Sequence, residues 1–132
     1  MKKLIPILTV FLSFFLFPQT SLGEWTFVVK NLDNGWEWYV DFDRIRQKNG
    51  YVYYWTLVDF KKPLLDDNNF ISSKVYEMGD CEIFRKKILT YSFYEGPMGQ
   101  GKSLEIDGKG KWDYPEPGSG IETILRFVCE RI

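Results

Sequence analysis

The 132-residue chain contains no histidine. That absence excludes a Ser-His-Asp triad, a Cys-His dyad and every histidine-ligated metal centre. Cysteine is scarce, at two residues, which with no histidine to help cannot assemble a zinc site. Charge of one sign is also lacking: 17 Lys+Arg against 18 Asp+Glu leave a net −1, so the chain has none of the basic excess of a nucleic-acid binder. Long apolar runs are missing beyond the first residues. The length suits one domain rather than two.

Aromatic residues are abundant instead. Five Trp, eight Tyr and eleven Phe make up 18% of the chain, which is incompatible with intrinsic disorder. One small core does not need so many rings, so some are expected at an interface, where they stack on sugars or on another protein chain.

The first 23 residues read as a secretory signal peptide. Lys2 and Lys3 precede the apolar run Leu4–Phe17, and Ser21-Leu22-Gly23 offers a small-x-small cleavage site before Glu24. The run is shorter than the ~20 residues a membrane-spanning helix needs. The expected organisation is a signal at 1–23 and a single domain at 24–132, with no membrane span in the mature chain. No cysteine lies near the cleavage site to accept a lipid. In an exported chain, Cys81 and Cys129 read as one intrachain disulfide, worth roughly 4 kcal/mol by loop-closure entropy; an intermolecular pair and two free thiols are the alternatives.

Strand signals fill the first two thirds of the domain. Trp25–Lys30 is β-branched and aromatic, and Trp36–Phe42 alternates between two faces after an Asn34-Gly35 turn. Lys48-Asn49-Gly50 marks a second turn. Tyr51–Lys61 carries aromatic or apolar residues on both faces, which predicts a central strand covered on each side. Phe70–Met78 reads as another strand, Gly79-Asp80 as a tight turn and Cys81–Tyr94 as a long strand. Gly96–Gly118 reads as an extended loop. Ser119 with Glu122 forms a capping box, and Ile121, Ile124, Leu125, Val128, Cys129 and Ile132 recur at helical spacing, predicting a C-terminal helix of about 13 residues with one apolar stripe.

Several patterns look chemical. Gly96–Ser103 satisfies G-x-x-x-x-G-K-[ST], the phosphate-cradling loop of nucleotide-binding proteins. That chemistry needs a helix N-terminus immediately after the loop. Here glycines and prolines follow, so the segment reads as a structural glycine loop and no nucleotide or other cofactor is expected. Asp41 and Asp43 are spaced for acid/base work in a small secreted hydrolase, or for a solvated strand end. Asp66, Asp67, Asn68 and Asn69 offer oxygen ligands without the glycine-centred calcium loop, and read as a solvated loop. Basic residues cluster at Arg44, Arg46 and Lys48, and again at Arg85, Lys86 and Lys87. The second cluster, with Tyr53 and Trp55, is the candidate partner-binding surface; a solvated face for the cations and core packing for the rings are the alternatives.

Tyr39-Val40-Asp41, Lys62-Pro63, Ser73-Lys74, Asp80-Cys81, Gly96-Pro97-Met98-Gly99, and Trp112 followed by Pro117 and Cys129 resemble the surface-adhesin protein E family of bacterial exported domains, over nearly the whole domain. The resemblance implies an α+β fold: an antiparallel sheet of about five to six strands, a C-terminal helix packed on it, an intrachain disulfide and a tendency to dimerise. It also implies a non-enzymatic, adhesin-like protein engaging a protein partner such as an extracellular-matrix glycoprotein. The family's named member is lipid-anchored, and this chain lacks the lipidation cysteine. The expected location is periplasmic or secreted, with cell-surface association as the alternative, and a cell-envelope protein is the other partner reading.

Overall fold

The computed structural model describes residues 24–65 and 68–132. The signal peptide, and Asp66 and Asp67 of the acidic loop, lie outside the described residues. Seven strands form one antiparallel sheet: β1 (Thr26–Lys30), β2 (Glu37–Val40), β3 (Arg46–Lys48), β4 (Tyr51–Asp59), β5 (Ser72–Asp80), β6 (Arg85–Tyr94) and β7 (Ser103–Asp107). Their order is β1-β2-β4-β5-β6-β7, with β3 also on β4, so the chain meanders from one edge to the other. The helix α1 (Gly120–Glu130) follows.

Strands β2 and β3 lie end to end along one side of β4, pairing with its Thr56–Asp59 and Tyr51–Tyr53 portions. A 3-10 turn, Phe42–Arg44, separates them, capped by the Asp41 carboxylate, which accepts from Asp43 N at 3.2 Å. The break turns Phe42 and Ile45 toward the core. At the β3–β4 hairpin, Asn49 and Gly50 both hold positive φ, 55° and 83°, as a two-residue type I′ connection requires. In β1 the register slips between Phe27 and Val29, and the extra residue, Val28, packs into the core.

Several sequence readings change, and the strand read over Cys81–Tyr94 begins only at Arg85. Gly79 and Asp80 belong to β5 rather than to a turn. The reversal is Cys81–Phe84, held by Asp80, whose Oδ1 accepts from Glu82 N and Ile83 N at 3.1 and 3.2 Å. The Gly96–Gly118 segment is not loop throughout, because Ser103–Asp107 pairs with β6 from Thr90 to Tyr94 as an exposed edge strand. Further along β6, Lys86 and Asp113 exchange backbone hydrogen bonds at 2.9 and 2.7 Å.

The helix covers one end of one sheet face. Ile124, Leu125 and Val128 are buried against Val40, Val52 and Tyr54. Gly79 makes this approach possible: a Cβ there would lie 2.8 Å from Leu125 Cδ1 and 3.0 Å from Val52 Cγ1. Ser119 caps the helix, accepting from Glu122 N at 3.1 Å, while Glu122 reaches back to Gly118 N at 3.0 Å rather than to Ser119 N. The helix ends at Glu130, so Ile132 leaves the apolar stripe and is half exposed. The Cys81–Cys129 disulfide, with Cα atoms 5.7 Å apart, ties the last turn of the helix to the β5–β6 reversal.

Candidate functional site

Strand alternation sorts the rings and cations of the central strands. On the face away from the helix, β4 presents Tyr51, Tyr53 and Trp55, and β5 presents Lys74, Tyr76 and Met78 directly opposite Leu57, Trp55 and Tyr53. The Trp55 and Tyr76 rings lie 4.8 Å apart, and Tyr53 stacks on Tyr76 at 6.2 Å. All three remain partly exposed. Strand β3 adds Arg46 and Lys48 opposite Tyr53 and Tyr51, and a concavity of about 330 Å³ opens between Arg46, Lys48, Tyr53 and Tyr76.

Of the residues singled out in the sequence, Tyr53, Trp55, Arg85 and Lys87 share this face. Lys86 does not, because period-two alternation sends it to the helix side. There it is 4% exposed and ion-paired with Glu77 at 3.0 Å. Arg85 and Lys87 both approach Trp112, at 4.0 and 4.2 Å from the ring centre, and Trp112 packs on Tyr51 at 5.6 Å. The glycine-rich segment therefore supplies a ring that orders two cations by cation–π attraction. Arg85 is also held by Asp80 at 3.1 Å. Burial opposes ionisation of Asp80, but the amides of Ile83 and Glu82 and the Arg85 guanidinium outweigh it, and its carboxyl lies below the ordinary carboxylate range.

At the other end of the face, Trp55 borders a cavity of about 280 Å³ with Trp25, Lys74, Tyr94 and Asp41. Asp41 is 2% exposed, and burial raises its pKa despite the Arg44 guanidinium 3.4 Å away. Its carboxylate is committed to capping the 3-10 turn, whereas Asp43 lies at the surface. Tyr76 and Lys74 were missed in the sequence. Reading β5 in register with the doubly aromatic β4 would have placed them beside Trp55.

The phosphate-loop-like segment is built differently from a nucleotide site. Pro97–Gly99 is a 3-10 turn laid on the same face, with Met98 and Gly99 at positive φ. Gly99 N donates to Ser72 Oγ at 2.9 Å, Gly96 N to Gln100 O at 2.8 Å and Glu95 N to Lys102 O at 2.9 Å. These amides are engaged within the fold, and a strand follows where a phosphate site needs a helix.

Comparisons with known proteins agree with this architecture. The chain is similar to the crystal form II structure of Haemophilus influenzae protein E, with 19% identity and a TM-score of 0.65, over 86% of this chain and 92% of that one. A second structure of Haemophilus influenzae protein E gives 18% identity and a TM-score of 0.61, over 86% and 89%. Protein E from non-typeable Haemophilus influenzae gives 18% and 0.54, over 86% and 80%. At such identities the likeness establishes the fold. No curated protein sequence matches. The sequence matches the family described as surface-adhesin protein E over residues 25–130, and the chain belongs to that family.

Proposed function

We propose that this protein is an exported, adhesin-like binding protein without enzymatic activity, and that it grips a protein partner with the sheet face opposite the helix. The observation that carries the reading is the Tyr53–Tyr76–Trp55 cluster, partly exposed and flanked by Arg46, Lys48, Arg85 and Lys87. Large amphipathic rings surrounded by cations are the composition of binding hot spots, and the cations favour partners with acidic segments. Membership of the surface-adhesin family supports the binding role. The signal-like residues 1–23 support export to the periplasm or beyond, and no helix among the described residues is long and apolar enough to cross a membrane.

An extracellular-matrix glycoprotein or a cell-envelope protein is the expected partner, and a second copy of the chain is the rival occupant of the face. Immobilised protein should retain a partner from one of two pools, matrix glycoproteins or envelope extract, and Tyr53→Ala/Trp55→Ala should abolish retention with the fold intact. Retention unchanged in that variant would overturn the assignment of the face. A wild-type dimer at micromolar concentration that Trp55→Glu converts to monomer would instead assign the face to self-association. The hydrolase reading gains no support from Asp41, whose carboxylate is occupied in the cap.

A further inference from the structure

The helix packs over β1, β2 and part of β4. Beyond it, the same side of the sheet carries an open apolar groove of about 300 Å³. Trp36, Trp38 and Ile121 form one wall, and Tyr91 and Phe93 the other. Val58, Val75, Glu77 and Lys86 form the floor. A second cavity of about 380 Å³ adjoins the groove, sharing Lys86, Ile88 and Tyr91 with it, and is bordered by the Gly108–Lys111 loop with Lys109 and Lys111. Both volumes fall in the ~300–1,000 Å³ range of ligand sites. The half-exposed Leu104 and Ile106 of β7 extend the apolar surface beside Phe93 and Tyr91.

The charged groups of the floor, Glu77 and Lys86, are already paired with each other. Thr56 Oγ1 donates to Glu77 Oε2 at 2.7 Å, and Lys86 Nζ meets Glu77 Oε1 at 3.0 Å. Beyond Ser73 and the unpaired Trp38 Nε1, a peptide laid in the groove would find few partners for the backbone groups it desolvates against these walls. A hydrocarbon chain carries no such cost. At the loop end, exposed Lys109 and Lys111 outnumber the one acid that borders the cavity, Asp113.

From this apolar channel with a cationic mouth we infer that the groove binds a long-chain fatty acid, its carboxylate between Lys109 and Lys111 and its chain running past Ile88 and Val75 toward Phe60. The groove lies on the opposite side of the sheet from the Tyr53–Tyr76–Trp55 cluster, and Trp112 borders both its second cavity and the Arg85–Lys87 pair.

Trp36 and Trp38 provide the readout, since a bound chain changes their fluorescence. The purified protein is titrated with palmitate, with hexadecanol and with phosphatidylglycerol vesicles. Palmitate should saturate a single site. Lys109→Glu/Lys111→Glu, at exposed positions that do not threaten the fold, should weaken palmitate about tenfold, the scale of two exposed ion pairs replaced by repulsion, and leave hexadecanol unchanged. Val75→Trp should block both. Arg46→Glu, on the other face and away from both cavities, should bind palmitate normally. Absence of saturation, equal palmitate affinity in the charge-reversed protein, or a response to vesicles alone would overturn the inference.

Discussion

Lys86 Nζ lies 3.0 Å from Glu77 Oε1 on the helix side of the sheet, and the two side chains are only 5% and 6% exposed. Thr56 fills a further acceptor position on the same carboxylate. Removing either charge strands the other in a dry setting. Glu77→Gln and Lys86→Met should each cost about 3–5 kcal/mol in urea unfolding, whereas Glu77→Leu/Lys86→Met should recover most of the loss. Equal destabilisation in the single and double variants would show that the pair is not acting as a unit.

Gly79 and Leu125 set how closely the helix approaches the sheet. Leu125, fully buried, should cost about 2–5 kcal/mol when cut to Ala. Gly79→Ala should also destabilise, because its Cβ would meet Leu125 Cδ1 at 2.8 Å. The double variant should lose less than the sum of the two, since shortening Leu125 makes the room that the alanine needs. Strict additivity in a double-mutant cycle would contradict the contact.

The disulfide predicts no free thiol by alkylation and mass spectrometry of the non-reduced protein. It closes a loop with a sequence separation of 48. Cys81→Ser/Cys129→Ser should lose about 2–5 kcal/mol of unfolding free energy. A loss under 0.5 kcal/mol, the scale of surface substitutions, would mean that the unfolded chain gains little freedom on release.

Asp80 gives a pH signature. Its folded pKa is depressed, so its contribution is fully present above the unfolded value near ~3.9 and is lost as pH falls through the lower folded value. The stability gap between wild type and Asp80→Asn should therefore be largest near neutrality and shrink on acidification below about pH 4. Asp41, raised by burial, acts with the opposite sign, favouring the fold as pH falls. A gap for Asp80→Asn that widens with acid would contradict the depressed pKa.

Much of the fold is legible where local and tertiary preferences agree. Tyr51–Asp59 is aromatic on both faces, and it is the strand on which the helix packs one side and rings gather on the other. Ser119 and Glu122 mark the helix start because the cap uses neighbouring side chains. Strand β3 was invisible, since Arg46-Gln47-Lys48 is exposed throughout and becomes strand only by pairing with β4. Strand β7 was hidden among glycines for the same reason. Gly79 imitates a turn residue, yet its lack of a side chain serves packing against Leu125. Within the site, the Arg85-Lys86-Lys87 run looked like one patch, and only the alternation of a strand divides it between two faces.

The disulfide also shapes what a protease can accomplish. The exposed Lys109 and Lys111 lie between Cys81 and Cys129 in the chain, in a loop that borders the groove. Loop tips of this kind are the usual places for a first cut. A single cut there leaves β7's segment and the helix on different fragments that stay joined through sulfur. The nicked protein should run as one band without reductant and as two bands with it, so an early cut by an extracellular protease would mark the molecule without releasing either piece.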